Sequence, residues 1–462
     1  MFANALHALH TTTPKESVHR ESSVNMRRYM EGATVGEGKS TVDDRASQLR
    51  RQVLAVTWWS YAGFYVTRKV FSVLKGPVMR ALHTDDLSVS HLWTVYLTTY
   101  SLGMFVAAAL SSRMRCRSQL IFGMTLSAVA NAATALLLPL GAPAYWPLFV
   151  CFAVHGLAQS VGWPNNVAIV GRWTHRHERG SVMGVWCTCY QLGSVFAKAL
   201  AAYSYAHVGL SGAFWVSALV MSIITLAFLR FGHEDPASHG IAYDDSPLES
   251  STDATSADAS TPTQALPASV IVGCMGMLYF GFKFLRYALD SWTPRLLEDR
   301  FALSASDAGY VSTAFDWVGF LGVLAAGFAS DRYFRSRRLP VIALMAVAMA
   351  LVSILMVTVG MTAVPVFSLL LGLVGFAAMG PDSLLSGVAA VDAADPKVAA
   401  RTVAIVNGLG SIGPILQEPA IGYLKTHFGI GAVFALLAVV SVLTAAGAMT
   451  FLSVTRRRGL HL

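Results

Sequence analysis

The stretch YAGFYVTRKVFSVL, residues 61–74, places Arg68 and Lys69 side by side inside an apolar run that extends over 53–74. The run is long enough to cross a bilayer as a helix. A cation at the centre of a membrane helix costs roughly 3 kcal/mol or more unless a partner, a wet cavity or the interface receives it. The two cations therefore either reach the interface along their side chains or line a polar space inside the protein.

The composition indicates that this run is one of many. Of the 462 residues, 54% are hydrophobic and 13% are charged, whereas about a quarter are charged in a typical soluble domain. Apolar windows of membrane-crossing length recur along the chain, and they predict an all-α membrane protein with twelve transmembrane helices. The windows are 53–74, 90–112, 117–138, 144–168, 180–204, 210–231, 267–289, 307–329, 339–360, 363–386, 400–424 and 428–453.

The net charge of +8 follows the predicted topology. Basic residues cluster in alternate loops, and the loops between them are short or mixed in sign. The positive-inside rule then places both termini and the basic loops in the cytoplasm. We therefore expect a lipid bilayer and no nucleic acid as partner, in a bacterial inner membrane or a eukaryotic plasma or organelle membrane. The basic clusters lie at 50–51, 113–117, 172–179, 332–338 and 456–458.

Composition also divides the chain into two membrane halves. Residues 234–266 are rich in Ser, Thr, Asp, Ala and Pro, which predicts a flexible cytoplasmic linker. Six predicted helices lie on each side, in bundles over 50–233 and 267–455. The polar residues 1–49 are expected to form a disordered cytoplasmic tail, and 456–462 a short C-terminal one.

The two halves carry related loops. AALSSRMRCRSQ, residues 108–119, follows the second predicted helix, and AGFASDRYFRSRR, residues 326–338, follows the eighth. The second resembles the G-x-x-x-D-R-x-x-R-x-R loop of the major facilitator superfamily, in which Asp331 caps a helix or pairs with the following arginines. The resemblance implies that superfamily's fold: two pseudo-symmetric six-helix bundles with a substrate site between them near the midplane.

Arg68 and Arg286 occupy corresponding places, because each lies in the first helix of its half, among aromatic residues. Snorkelling to the interface would not require one arginine in each half. Two guanidinium groups that meet in a central cavity would instead bind an oxyanion. A phosphate dianion fits two cations better than a carboxylate does.

Four blocks give the chain a more specific resemblance, to the organophosphate:phosphate antiporter family. They are YAGFYVTRK at 61–69, the segment 156–186, FLRYALDSWTP at 284–294 and the segment 375–415. The resemblance implies that Arg68 and Arg286 are the paired phosphate-binding residues of this family. It also implies that inorganic phosphate and an organic phosphate are the two substrates.

The same resemblance assigns roles to neighbours of the arginines. Tyr61 and Tyr65 match aromatic residues that line the family's cavity. Lys69 matches a lysine that pairs with an acidic group of the second half, for which Asp290 and Asp316 are the candidates. Such ion pairs open and close as substrate neutralises the arginines.

Three positions depart from the family pattern and leave the substrate open. One is Met104, where several members have a lysine in the second predicted helix. Tyr190 stands where bacterial members often have a histidine. Lys283, one turn before Arg286, stands where glycerol-phosphate carriers have an aromatic residue, and the sugar-phosphate exchangers tend to have a lysine nearby. We expect Tyr190 and Lys283 to contact the substrate.

Three further polar residues lie in predicted helices beside prolines. Asp382 follows Pro381, where we expect a helix break; it contacts substrate, pairs with a cation or caps a helix. Asn165 and Asn166 follow Pro164, and they either present amides to a sugar or satisfy backbone groups that the proline frees.

The sequence therefore predicts a secondary transporter that exchanges an organic phosphate, such as hexose 6-phosphate or glycerol 3-phosphate, for inorganic phosphate. It contains no nucleophile–base set, phosphate-binding glycine loop or metal-ligand cluster, so we expect neither an enzyme nor a cofactor. We expect a monomer. Two alternatives stay open: a membrane sugar-phosphate sensor with a transporter-like fold, and a carrier of another organic anion.

Overall fold

In the computed structural model of the protein, the described residues are 16–110, 113–175, 179–241, 267–334, 337–386 and 399–459. All regular structure within these ranges is helical, and it comprises fifteen α-helices and three short 3₁₀ turns. The helices are α1 Glu16–Val73, α2 Lys75–Ala81, α3 Asp86–Leu110, α4 Cys116–Leu137, α5 Tyr145–Ser160, α6 Gly162–Arg172, α7 Arg179–Trp186, α8 Thr188–Phe231, α9 Ala268–Phe301, α10 Ala305–Ser312, α11 Ala314–Arg332, α12 Arg338–Thr358, α13 Val364–Ser386, α14 Ala399–Phe428 and α15 Ile430–Arg457. The 3₁₀ turns are Leu138–Leu140, Ala142–Ala144 and Pro236–His239.

Eight segments among the described residues are long and apolar enough to cross a membrane, against twelve predicted spans. One of the eight, Val182–Phe231, contains two predicted spans. The other three predicted spans lie in α1, α3 and α14. One merged pair and these three helices account for the difference between eight and twelve.

The same turn joins the last two spans of each half. Gly209 lies inside α8, between the predicted spans 180–204 and 210–231, and its φ of 72° belongs to the left-handed region that favours glycine. Gly429 separates α14 from α15 with a φ of 77°. The flanking sequences, HVGLSGAF at 207–214 and HFGIGAVF at 427–434, are alike. The two halves therefore repeat one local structure.

Each half has its own apolar core, and large side chains also cover the outside. Phe71, Trp93 and Phe152 are buried in the first half, and Phe282 and Phe315 in the second. Many other large apolar side chains are exposed on the outer helix faces. A bilayer receives such a surface, because hydrocarbon replaces water around it.

The halves meet through two related helix pairs. α3 packs against α14, and the part of α8 before Gly209 packs against α10 and α11. A Cβ added at Gly422 would lie 2.5 Å from Ser90 Oγ, and one added at Gly309 would lie 2.7 Å from a Val73 methyl group. Both glycines thus permit a close approach between the halves.

Several ion pairs join the halves at one end of the protein. Lys75 Nζ lies 2.9 Å from Glu418 Oε2, and both side chains are fully buried. Asp86 lies 3.0 Å from Arg295 Nε and 2.6 Å from Lys425 Nζ. This end, where α1 finishes and α3 begins, lies opposite the arginine-rich loops, and we call it the closed end. A further pair there is Arg80–Glu298.

The chain divides into two compact units, Met1–Val53 and Leu54–Leu462. The first contains the beginning of α1, which starts at Glu16 although the sequence predicts disorder over 1–49. No proline interrupts this helix after Pro14. The second unit contains both membrane halves. Residues 1–15, 242–266 and 460–462 of the predicted tails and linker lie outside the described residues.

Candidate functional site

A cavity lies between the two halves and is lined by charged and aromatic side chains of both. α1, α3 and α8 provide the lining from the first half, and α9 and α11 provide most of it from the second. Both predicted phosphate-binding arginines are among the lining residues. The residues that matter for the chemistry are Tyr65, Arg68, Lys69, Tyr190, Arg286, Asp290 and Asp316.

Arg68 is held inside the first half and does not extend to the interface, since only 6% of its surface is exposed. Its Nε and Nη2 donate hydrogen bonds to Gln159 Oε1, at 3.3 and 3.0 Å. The guanidinium lies over the rings of Tyr65 and Tyr100, 5.0 and 5.2 Å from their centroids. Among the described residues Arg68 has no carboxylate partner, so its charge is balanced by dipoles and aromatic faces alone.

Arg286 has a carboxylate partner. Its Nη1 donates a hydrogen bond to Asp382 Oδ2 at 2.5 Å, and its guanidinium carbon lies 5.7 Å from the ring centroid of Tyr190. α13 continues through Pro381 without the predicted break. Asp382 therefore acts as an ion-pair partner and not as a helix cap, and the second arginine is paired where the first is not.

Lys69, next to Arg68, belongs to a cluster of four charges that bridges the halves. It pairs with Asp290, which is one of the two partners that the sequence suggests for it. Lys198 of α8 lies 2.9 Å from Asp290 Oδ1 and 2.6 Å from Asp316 Oδ2. Two lysines of the first half thus neutralise two aspartates of the second, and all four are held in a setting where a lone charge would be costly.

The charged groups that line the cavity, taken together with Lys198, Lys283 and Asp382 beside it, leave a net excess of two positive charges. The four-charge cluster is neutral, and so is the pair of Arg286 with Asp382. Arg68 and Lys283 remain, because neither has a carboxylate partner in the described part of the chain. Lys283 Nζ donates to Ser411 Oγ at 3.2 Å and lies 4.5 Å from the ring centroid of Tyr279. An excess of two positive charges matches a dianion.

Other predicted site residues lie farther from the cavity. Tyr61 packs in an aromatic group with Trp163, at a centroid distance of 5.0 Å. Asn165 donates to Gln119 Oε1 at 3.1 Å, and Asn166 to Ser60 Oγ at 3.3 Å and to Gly162 O at 2.8 Å. These two asparagines pack inside the first half, and their contact with substrate stays a prediction.

Asp331 lies at the end of the protein opposite the closed end. Its Oδ1 lies 2.5 Å from Arg338 Nη1. Arg338 directly follows Arg337, the last arginine of the loop motif. Among the described residues, no group of three or more histidine, cysteine or acidic side chains could hold a metal ion.

Three polar groups at the site or at the closed end were missed from the sequence. Lys198 is a lone lysine within the apolar window 180–204, the same signal that identified Arg68. Lys75 follows its window by one residue and was overlooked for that reason. Gln159 carries no charge, and only its position beside Arg68 in space gives it significance.

The helical bundle, the repeated halves and the cavity between them define a membrane transporter, and comparison with known proteins agrees. The Major Facilitator Superfamily pattern matches residues 57–416 and 271–461. The chain belongs to the Major Facilitator Superfamily, a family of multi-pass membrane transporters and not of enzymes. The predicted fold is confirmed.

Relatives and a solved structure place the chain within this superfamily. It is 27% identical over 355 residues to Sugar phosphate exchanger 3 of Bos taurus, which covers 65% of this chain and 70% of the relative. It is 27% identical over 444 residues to Putative glycerol-3-phosphate transporter 5 of Arabidopsis thaliana, with 84% and 87% covered. These relatives agree with the family resemblance seen in the sequence.

The solved structure shows the fold alone, because the sequence identity is low. A bacterial homolog of the human lysosomal transporter Spinster, in an inward-facing and occupied conformation, superposes with a TM-score of 0.68 at 15% identity. The match covers 87% of this chain and 96% of that one.

Proposed function

We propose that the protein exchanges an organic phosphate for inorganic phosphate across a membrane by alternating access. The organic substrate is a small phosphate monoester of the size of hexose 6-phosphate or glycerol 3-phosphate. Relatives described as sugar phosphate exchangers and glycerol-3-phosphate transporters support this substrate class.

The observation that carries the proposal is the pair of arginines, one from each half, that line one cavity. Arg68 has no acidic partner in the described part of the chain, and Arg286 forms an ion pair with Asp382. A phosphoryl group offers three oxygens and can accept hydrogen bonds from both guanidinium groups at once. Since inorganic phosphate and a phosphate monoester share this group, one site serves both substrates.

The arrangement of the halves supports alternating access. Four ion pairs hold the closed end together, while the arginine-rich loops lie at the other end. These outer pairs are Lys75–Glu418, Asp86–Arg295, Asp86–Lys425 and Arg80–Glu298. With those loops in the cytoplasm, the closed end faces the opposite side of the membrane. Opening the closed end requires that the four-charge cluster and the outer pairs separate, and binding of an anion between the arginines biases that step.

Phosphate exchange in proteoliposomes tests the proposal. Vesicles preloaded with inorganic phosphate take up labelled phosphate, and external hexose 6-phosphate and glycerol 3-phosphate compete. Arg68→Ala and Arg286→Ala are each expected to lower the exchange rate at least tenfold, since each removes a charged hydrogen-bond donor from the anion. Arg300→Ala is the matched control, because Arg300 lies on the same helix as Arg286 but is exposed and donates to Met361 O.

The outcomes separate the competing functions. Exchange that both cavity substitutions abolish and Arg300→Ala preserves supports the proposal, and the best competitor identifies the organic substrate. Exchange that persists without both arginines contradicts the phosphate site. Phosphate binding without exchange in folded protein indicates a sensor. Uptake of a labelled organic anion that needs no phosphate inside the vesicles indicates a carrier of another anion.

A further inference from the structure

Gln159 of α5 occupies one edge of the Arg68 guanidinium. Its side chain is buried, with 1% of its surface exposed. Its Oε1 accepts from both Nε and Nη2 of Arg68. This is the two-nitrogen edge that a carboxylate or phosphate often takes, so an anion in the cavity must approach Arg68 elsewhere.

The orientation of the Gln159 amide is determined by its surroundings. Its Nε2 lies 2.7 Å from Thr67 Oγ1, 3.2 Å from Phe64 O and 3.0 Å from His155 Nε2. All three can accept a hydrogen bond, and an amide nitrogen only donates. Exchanging the amide oxygen and nitrogen would turn the NH₂ group toward the arginine cation. The oxygen therefore faces Arg68.

The same contact determines the state of His155. Because Gln159 Nε2 can only donate, His155 Nε2 must accept, and the ring proton lies on Nδ1. A neutral imidazole thus holds the amide from behind. His155 is buried against the ring of Tyr96, at a centroid distance of 5.3 Å.

We propose that Gln159 is a positioning residue for phosphate binding, which acts through Arg68 and is itself held by His155. With Nε and Nη2 bound to Gln159, Nη1 has no hydrogen-bond acceptor among the described residues. The amide thereby turns the Nη1 end of the guanidinium toward the cavity without neutralising its charge. This inference rests on the proposed function, and it explains how a buried arginine keeps its full charge for substrate.

A glutamate at this position would defeat the arrangement. It would accept the same two hydrogen bonds, but it would cancel the charge of Arg68 and reduce the excess of the cavity from two positive charges to one. A neutral acceptor positions the arginine and leaves the charge free for an anion. The chemistry of an amide, and not hydrogen-bonding capacity alone, is therefore what the site uses.

The test compares phosphate–phosphate exchange of Gln159→Leu, Gln159→Glu and a matched control. Ser217→Ala is the control: Ser217 Oγ donates to Val66 O at 3.0 Å, so its loss loosens α1 near Arg68 without touching the guanidinium. We expect Gln159→Leu to raise the KM for inorganic phosphate ten- to a hundredfold while kcat changes less than threefold. Gln159→Glu is expected to raise KM further, and Ser217→Ala to change neither constant by more than threefold.

A double substitution separates positioning from packing. Lysine at position 68 lacks the two-nitrogen edge, so Gln159→Leu should add little to the KM of Arg68→Lys. Additive effects, or a KM for Gln159→Leu equal to that of Ser217→Ala, would overturn the inference while leaving the proposed function intact.

Folding and the parent activity complete the set of outcomes. Gln159→Met, which keeps the side-chain length, is prepared in parallel. If neither Gln159→Leu nor Gln159→Met gives folded protein, Gln159 is a packing residue and the inference is wrong. If the parent protein neither binds nor exchanges phosphate, the proposed function fails and the inference fails with it.

Discussion

Replacing Glu418 by glutamine removes one charge from a pair that is fully buried at the closed end. Lys75 would keep its hydrogen bond to Ser291 Oγ at 2.8 Å and its place 3.8 Å from the ring centroid of Trp292. It would lose its only carboxylate partner among the described residues. The substitution is nearly isosteric, so packing is retained while a buried ammonium group is left uncompensated.

The expected magnitude follows from the burial. Breaking one partner of a buried ion pair costs about 3–5 kcal/mol. That cost destabilises only the state in which the closed end is shut, because Lys75 becomes hydrated when the halves separate at this end. The substitution should therefore shift the equilibrium between the two transport states by about 3 kcal/mol. This corresponds to a population of the opened state that rises about a hundredfold or more.

Alkylation of a buried cysteine measures this population. Ser90 is fully buried where α3 meets Gly422 of α14. The five native cysteines, all free, are first replaced by alanine or serine, and Ser90→Cys is then introduced. The alkylation rate by a maleimide in detergent micelles reports how often the closed end opens. Glu418→Gln should raise this rate by about two orders of magnitude.

A double substitution provides the control. Lys75→Met combined with Glu418→Leu removes both charges and retains volume, so the alkylation rate should return to within about tenfold of the parent rate. If Glu418→Gln is folded and its alkylation rate equals that of the parent, the pair does not hold the closed end. If the double variant opens as readily as the single one, lost packing and not an uncompensated charge is responsible.

Two further perturbations test single contacts. Asp382→Asn frees Arg286 and adds one net positive charge to the cavity, so the KM for phosphate should fall roughly tenfold and kcat should fall with it; a raised KM would contradict this. Burial tends to raise the pKa of Glu234, but hydrogen bonds from Arg172 and from backbone N–H groups at the start of α4 outweigh it and hold that pKa below its usual range. A lowered pKa stabilises the fold above the unfolded value of about 4.3, and this gain is lost as pH falls through the folded pKa. Glu234→Gln should therefore unfold at a lower temperature than the parent at pH 7, and this difference should disappear once the pH falls below the folded pKa of Glu234; a difference that persists in stronger acid would contradict the role of the charge.

Charges inside apolar windows could be recognised from the sequence because their cost is local. Arg68 and Arg286 are conspicuous in the linear sequence, because each is a charged residue in an apolar window. Their matching places in the two halves indicate a shared cavity. The twelve spans could also be predicted, because an apolar window is visible locally in the sequence, but the ends of the helices could not. α9 extends to Phe301, past the predicted end at residue 289, since polar residues face the other half there and lower its apparent hydropathy.

Partners across the two halves could not be predicted in this way. Lys75 and Glu418 are separated by 343 positions, and only the fold brings them together. Asp290 was identified through the family resemblance, whereas its second partner Lys198 was not. A buried charge in the sequence shows that a partner exists, but the identity of the partner depends on packing.

Polar groups without charge gave the weakest signal. Asn165 and Gln159 both lie near the break between α5 and α6. The sequence drew attention to Asn165, because it follows Pro164, and passed over Gln159. In the structure Asn165 bonds within the first half, while Gln159 holds Arg68. Neutral amides are tolerated in many helix positions, so their role becomes visible only from the atoms that they contact.

The positions of the charges suggest how binding is coupled to the opening of the closed end. Arg68, which faces the cavity, precedes Lys69, which pairs across the halves with Asp290. Asp290 lies one turn beyond Arg286 on α9. The anion-binding groups and the bridging pair are therefore fixed to the same two helices. A phosphoryl group that draws Arg68 and Arg286 together must rotate or translate the helices that carry Lys69 and Asp290. Because the bridging charges are neutral as a set, they can exchange partners or become hydrated without a change in net charge, which an apolar contact at the same place could not do.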